Sequence, residues 1–333
     1  MRKNIFLAVF LLSATGSFAQ EQEEPVDFIV RHPILEAKVD PVYRKFKDVS
    51  FKTIVPKNAI SFNAGYGIPF ISNDLNSEQW NSKTGTGLNF GVDYKRQFMK
   101  TAIVDNEVVK TPSLLGMGIG LGISYFNQSA FMKNHTEELY NFTDISGDFC
   151  DVTFSYKGIK ESVSLTYLDI PLYLEIGKPS QVKISGYFNV GVKASILISG
   201  KSTGEGTYTS SGHYENWNVN LNGNKGALEE LNYYTDKEIP EKLESSLSSF
   251  VLWGSLAGGV NIPFSSLEEK RVSKFILRVG AKIDFTVLPV SKSMADPYFK
   301  GANYRINQSN ILNSDGSRIF MPSIEIKLIY CIN

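Results

Sequence analysis

One stretch limits the possible folds more than any other. From Val182 to Ser199 the chain alternates without a break. Val182, Ile184, Gly186, Phe188, Val190, Val192, Ala194, Ile196 and Ile198 share one parity; Lys183, Ser185, Tyr187, Asn189, Gly191, Lys193 and Ser195 hold the other. Strand side chains point to opposite faces with period two, so this reads as one long strand with an apolar and a polar side. It far exceeds the ~5–6 residues usual in globular sheets. No charge interrupts its apolar face. A strand that crosses a bilayer needs this pattern over roughly 9–11 tilted residues, with hydrocarbon on one side and a polar lumen on the other.

The segment before it, Ser162–Ile176, is joined to it by a short turn at Gly177–Gln181 and makes a hairpin. Here Val163, Leu165 and Tyr167 hold one parity, then Leu168, Ile170, Leu172, Leu174 and Ile176 take the other. A one-residue slip turns every side chain over, so a β-bulge near Tyr167–Leu168 is expected to restore the faces. Pro171 cannot donate to a ladder and suits a bulge.

The same rhythm predicts six further strands: Ile60–Ile68, Thr86–Lys95, Leu115–Tyr125, Phe250–Ile262, Lys274–Leu288 and Phe320–Ile332. Eight is an even number and the smallest size of single-chain outer-membrane barrels. The expectation is therefore an all-β, eight-stranded antiparallel up-and-down transmembrane β-barrel with long outer loops, occupying residues 57–333. Gly116, Gly118, Gly120 and Gly122 sit at every second position, which weakens a soluble strand. In a narrow barrel they leave inward room for large side chains from facing strands. A phosphate-binding reading fails, because there is no GxxxxGK[ST] and the run is a strand.

Connection lengths orient the barrel. Phe70–Thr84, Asn127–Glu161, Gly200–Ser249 and Val290–Ile319 are assigned outside. The shorter set, Gln97–Ser113, Gly177–Gln181 and Pro263–Ser273, falls with both termini on the periplasmic side. Tyr66, Tyr125 and Tyr167 are then expected near the outer rim; Tyr94, Phe275 and Tyr330 near the inner one.

The N-terminus supports export. Arg2 and Lys3 precede the apolar run Ile5–Leu12, and Ser17-Phe18-Ala19 closes it, which describes a secretory signal over residues 1–19 cleaved after Ala19. A membrane-spanning anchor would need about 20 apolar residues. Residues 20–56 read as a periplasmic leader: EQEEP is acidic, and Pro25, Pro33, Pro41 and Pro56 interrupt regular structure. Short apolar spots at Phe28–Val30 and Ile34–Leu35 are also compatible with docking on the barrel or a protein partner. Lys+Arg and Asp+Glu both number 34. Losing the signal's two positive charges leaves a slightly acidic chain, with nothing that suits nucleic acid.

Within the first arm, Tyr167-Leu168-Asp169-Ile170-Pro171-Leu172-Tyr173-Leu174 resembles the Y-L-E-I-P-L-L-L-K hallmark of the PorT-like outer-membrane β-barrel family of Bacteroidota. Asp169 stands where that family usually has Glu, and Glu175 where Lys is common. The resemblance implies a barrel in the outer membrane and, for some members, an accessory place in type IX protein secretion. The chain also departs from the aromatic last residue common in outer-membrane barrels: Cys331, Ile332 and Asn333 follow Tyr330.

The polar faces carry the candidate site. Asp93, Asp169, Glu175, Asp284 and Glu325 stand against Lys95, Lys183, Lys193, Arg278, Lys282 and Lys327. An eight-strand barrel has room inside for side chains and little else. A lone buried charge is strongly unfavourable, so a salt-bridged, filled lumen is expected. A proton or substrate path is the sharper alternative. For catalysis the sequence offers only His32, His135 and His213, scattered over the leader and two loops. His135 with Asp144 or Asp151 is the one arrangement a loop-built hydrolase would use; ordinary surface residues are the plainer reading. There is no CxxC, HExxH or closely spaced His pair, so no metal site and no cofactor is expected. Cys150 and Cys331 are assigned to opposite sides of the membrane and are not expected to pair. In the third outer loop, Tyr208, Tyr214, Trp217, Tyr233 and Tyr234 lie among Gly, Ser, Asn and Thr. That composition suits either a contact surface for a partner or ligand or an extended hairpin above the barrel. Pro240–Leu247 is a candidate short helix.

Overall fold

The computed structural model describes residues 55–72, 80–104, 107–143, 147–223, 233–264, 272–292, 309–312 and 317–332. The signal segment and nearly all of the leader lie outside these residues. Within them the chain is all β. Its strands are β1 (Asn58–Gly67), β2 (Phe70–Ser72), β3 (Trp80–Ser82), β4 (Thr86–Val104), β5 (Glu107–Met132), β6 (His135–Thr143) and β7 (Phe149–Gly177), then β8 (Ser185–Tyr214), β9 (Val219–Asn222), β10 (Lys237–Glu238), β11 (Phe250–Pro263), β12 (Phe275–Thr286) and β13 (Arg318–Ile332).

Eight of these strands close a ring. β1 pairs with β4, β4 with β5, β5 with β7, β7 with β8, β8 with β11, β11 with β12, β12 with β13, and β13 returns to β1. Every pairing is antiparallel and joins neighbours in that order, so the barrel is up-and-down and has no free edge along its wall. The closing register sets Asn58 opposite Ile332 and Tyr66 opposite Ile324.

Each strand turns its apolar parity outward over the same band. Phe62, Phe90, Leu121, Leu174, Val190, Leu256, Phe285 and Ile326, one from each wall strand, are between 39% and 59% exposed. A soluble protein buries such a set; here it forms a continuous outer belt. Tyr66 lies at one margin, and Tyr94, Phe275 and Tyr330 lie at the other, all exposed. The Phe275 and Tyr330 rings meet at 5.3 Å. Tyr167 does not belong to this girdle, since it is fully buried and faces inward.

The inner wall uses its glycines as space. A Cβ added at Gly118 would meet the Tyr173 ring, and one at Gly120 would meet the Asp93 carboxylate. Large side chains therefore fill the room that β5 leaves.

The strands run well past the belt at one end. β7 and β8 span 29 and 30 residues. Much of the sequence assigned to the second and third outer loops is therefore sheet, with β6 added to β7, and β9 and β10 to β8. Above the belt the faces invert. Val163, Leu165 and Tyr167 are buried on the same parity as Asp169, Tyr173 and Glu175. β7 thus does not turn over at Tyr167, contrary to the sequence expectation. Its apolar residues change parity because the greasy side of the wall changes from outside to inside where the belt ends. A bulge does sit at this level, but the extra residue is Ile198 on β8: Thr166 faces Ser199 and Tyr167 faces Leu197. A second irregularity lies between Lys157 and Lys160, where Gly158 has φ +60°. It switches the buried parity of β7 to Cys150, Val152, Phe154 and Tyr156.

The inside of this extension is a hydrophobic core. Phe126, Leu165, Tyr167 and Trp253 from the wall meet Leu243, Val290, Ile311, Leu312 and Tyr233 from the long connections. Pro240–Leu247 is not a helix. It runs extended along β8, with Gly204 N donating to Glu241 O (3.1 Å) and Leu243 N to Ser202 O (3.0 Å). At the opposite end the β7–β8 turn covers the mouth, with Ser180 and Gln181 fully buried. Gln181 Nε2 donates to Ser273 O at 2.7 Å.

Candidate functional site

Alternation on five strands, β4, β7, β8, β12 and β13, brings the inward charges to one column inside the barrel, in three tiers. Nearest the termini, Glu175 on β7 takes Arg278 of β12 in a two-point pair, with Nη1 to Oε2 at 2.7 Å and Nη2 to Oε1 at 3.1 Å. Lys95 of β4 binds the same carboxylate. Arg278 Nε donates to Asn261 Oδ1 at 2.7 Å, and its guanidinium lies 3.8 Å from the Tyr187 ring centre. In the middle tier Lys327 of β13 joins Asp93 of β4 at 2.8 Å and Glu325 at 3.4 Å. Asn63 Nδ2 donates to the same Asp93 oxygen at 3.1 Å. In the tier nearest the outer extension, Lys193 of β8 lies 3.3 Å from both Asp169 and Asp284, and Lys282 lies 3.0 Å from Asp284. Ser195 Oγ donates to Asp169 Oδ1 at 2.5 Å.

Five carboxylates therefore face five cations, and every one is in an ion pair. Charges removed from water cost several kcal/mol each, and only close pairing with further hydrogen bonds offsets that. The sharing of Glu175, Asp93 and Asp284 makes the tiers networks. Lys183 is not among them. The β8 strand begins at Ser185, and Lys183 is exposed in the preceding turn. Alternation alone carried it into the lumen; the turn's hydrogen bonds, such as Lys183 N to Ser180 Oγ at 3.1 Å, hold it outside.

An aromatic layer caps the column. Lys193 Nζ lies 4.4 Å from the Trp253 ring centre, Trp253 stacks on Phe126 at 5.3 Å, and Tyr167 meets Phe126 edge-on at 5.9 Å. Above it, Glu161 is fully buried and accepts from Asn310 N (2.9 Å), Ile311 N (3.2 Å) and Asn310 Nδ2 (2.8 Å), pinning the fourth outer connection across the barrel. A cavity of about 50 Å³ inside the barrel is lined by Asp93, Asp169, Tyr173, Lys193, Lys282 and Lys327, among others. At roughly 10–15 Å³ per water it holds only a few molecules. Asn89 Nδ2, on its wall, meets no protein acceptor among the described residues and offers one polar group for such a water.

The aromatic residues of the third outer connection do not form a surface. Tyr208, Tyr214 and Tyr233 are buried and Tyr234 is half-buried; only Trp217 is exposed. The cause is the inverted extension, which turns these rings into its core. Tyr233 OH meets Tyr214 OH at 3.1 Å and Cys150 Sγ at 3.4 Å. Burial, with those two hydrogen bonds, raises the Tyr233 phenol above its ordinary pKa, and burial raises Tyr208 likewise. Cys150 is thus at the outer end, Cys331 lies opposite Ala59 at the other, and no bond joins them.

Of the two acids named for it, His135 stands apart from Asp151. His135 faces Tyr156 across β6–β7, whereas Asp151 faces His213 across β7–β8. His213 Nδ1 lies 2.7 Å from Asn220 Oδ1. Asp144 and His32 lie outside the described residues. Among the described residues no group of three or more His, Cys, Asp or Glu side chains is placed to hold a metal.

No family model and no curated protein matches the chain. Among solved structures, the Neisserial surface protein A shares 8% identity, with 83% of this chain and 98% of that one covered, at a TM-score of 0.29. The attachment invasion locus protein Ail of Yersinia pestis, solved with the heparin analogue sucrose octasulfate, shares 9% identity over 82% and 99%, at 0.22. Likeness of this degree carries no inference, and the barrel rests on its own hydrogen-bonded registers.

Proposed function

We propose that the chain is a non-enzymatic outer-membrane β-barrel with a filled, non-conducting lumen, which holds a rigid extension above the membrane for contact with a partner or ligand. One observation carries this reading: an unbroken outward apolar belt surrounds a closed wall whose interior is occupied by paired charges. Such a belt is stable only against hydrocarbon, and a closed wall leaves no backbone group unsatisfied there. The side with the long connections faces outward, and the termini lie in the periplasm after removal of residues 1–19. The buried aromatic core makes the extension a firm platform, so contact falls to its exposed face and tips, Trp217 included.

The test is fractionation and electrical recording together. The protein partitions with outer membranes, folds into detergent or vesicles with heat-modifiable migration, and gives no sustained conductance steps in a planar bilayer. Recovery as a detergent-free soluble monomer would contradict the membrane reading; stable unitary conductance would contradict the filled lumen. An accessory place in type IX secretion is carried only by the resemblance of Tyr167–Leu174, and co-purification with secretion components from solubilised membranes would favour it. A hydrolase built on the loops would require a defined activity lost on changing His135 or His213.

A further inference from the structure

On one side of the barrel, the outer surface just beyond the belt is basic. Proceeding up β5 and β7, the apolar Ile123 and Leu168 give way to Tyr125 and Thr166, then Asn127 and Ser164, then Ser129 and Ser162, then Phe131 and Lys160. β8 continues each row, with Ser199, Lys201, Thr203 and Glu205 opposite the four β7 residues from Thr166 to Lys160. Beyond β8, Lys242 is paired with Thr203. On the other flank Lys83 N donates to Ser129 O at 2.8 Å, which places that residue in the Ser129 row. Lys83, Lys201 and Lys242 are exposed. The Lys83 and Lys160 ammonium groups lie 4.4 and 5.9 Å from the centre of one ring, Phe131. Two acids stand in these rows among the described residues: Glu205 is paired with Lys160 at 3.3 Å, and the exposed Glu244 falls opposite Lys201 in the register that sets Lys242 against Thr203.

We propose that this ribbon binds the phosphate-bearing headgroup of an outer-leaflet lipid, with Lys83, Lys201 and Lys242 supplying charge. The proposal rests on the belt being embedded in a bilayer. Two features choose this occupant. The ribbon begins where the apolar belt stops, at the level where a neighbouring lipid's phosphate lies when its acyl chains cover Ile123 and Leu168. Its net charge is cationic, four lysines against two acids, and its background is hydroxyl-rich, which matches a phosphate and its polar substituents. Ser129 and Ser162 are hydrogen-bonded to one another at 2.8 Å, and Asn127 to Ser164 at 3.1 Å, so the polar floor is rigid. Lysines act here as exposed point charges, and their contribution is sensitive to salt.

The experiment compares the full chain with a Lys83→Gln/Lys201→Gln/Lys242→Gln variant, each refolded in phosphatidylcholine vesicles and then titrated with phosphatidic acid. Binding is read by native mass spectrometry after detergent extraction. Lys157→Gln/Lys237→Gln, on the extension above these rows, serves as a charge-matched comparison for two of the three sites. The wild type retains phosphatidic acid over phosphatidylcholine. The triple variant loses about tenfold or more of that preference, as expected for about a few-fold per lysine near an anionic surface. The comparison variant keeps it. Equal retention by the triple variant, or equal loss in both variants, would overturn the proposal. Inorganic phosphate that displaced the lipid at millimolar concentration would also overturn it, by showing that the acyl chains on the belt contribute nothing. Failure of every form to refold in phosphatidylcholine would instead contradict the membrane reading itself.

Discussion

Glu175 shows how much one side chain holds here. It is fully buried and serves both Arg278 and Lys95. Glu175→Gln leaves two cations inside a narrow lumen with a neutral partner, and should cost about 3–5 kcal/mol of barrel stability in urea unfolding from vesicles. Replacing Lys95 and Arg278 by Met in the same chain should restore most of that loss, because the unpaired charges are removed with their partner. On the other face of the wall the sign of tolerance is reversed. Val190→Arg places a charge on the belt and should cost roughly 2–4 kcal/mol near the bilayer midplane, measured by the same unfolding. Val190→Leu should be almost neutral. Tyr208 and Tyr233 give a pH dependence. Their folded-state pKa values are raised, so their burial contributes fully below the unfolded value of ~10 and is lost as pH climbs past it. Near-ultraviolet circular dichroism should show the aromatic core of the extension loosening above that pH.

Strands β5 and β7 carry the argument at the next scale. The alternating glycines of β5 exist for the side chains across from them, since the Tyr173 ring occupies the space a Cβ at Gly118 would need. Gly118→Val should therefore slow or block refolding, and Tyr173→Ala in the same chain should recover heat-modifiable migration. Part of this arrangement is legible in the sequence. The unbroken alternation from Ser185 to Ser195 states which residues face the lumen, and it leads directly to Lys193 beside Asp169 and Asp284. The sequence is silent on where the bilayer ends. Val163, Leu165 and Tyr167 therefore read as an outward face interrupted by a bulge, whereas they are the inward face of a wall that has left the belt. The bulge that does exist is recorded on β8 at Ile198, where a Leu-Ile-Ser sequence gives no turn signal. The same unseen boundary made loop residues of Tyr208, Tyr214 and Tyr233, which are core. Lys183 lies outside the lumen for a smaller reason: the strand begins only at Ser185, and the alternation extends back from it into a tight turn.

At the largest scale, the described barrel is a closed wall whose solvent preferences reverse along its length. Over the belt it is apolar outside and ionic inside; beyond the belt it is polar outside and apolar inside. The two halves share one wall and meet at the layer of Phe126, Tyr167 and Trp253. Thermal or urea unfolding should reflect that layout, with near-ultraviolet signals of the extension lost no later than the wall opens. The most direct measurement is site-directed spin labelling along β8, at Phe188 to Ile196 in turn, with Cys150 and Cys331 replaced by alanine and the protein in phosphatidylcholine vesicles. Labels at Phe188, Val190, Val192, Ala194 and Ile196 should be relaxed by oxygen, which concentrates in hydrocarbon. Those at Asn189, Gly191, Lys193 and Ser195 should be shielded from oxygen and from water-soluble nickel complexes alike. Strong nickel relaxation at the lumen positions would mean an open pore, and equal relaxation at both sets would mean that the strand does not stand in a bilayer wall at all.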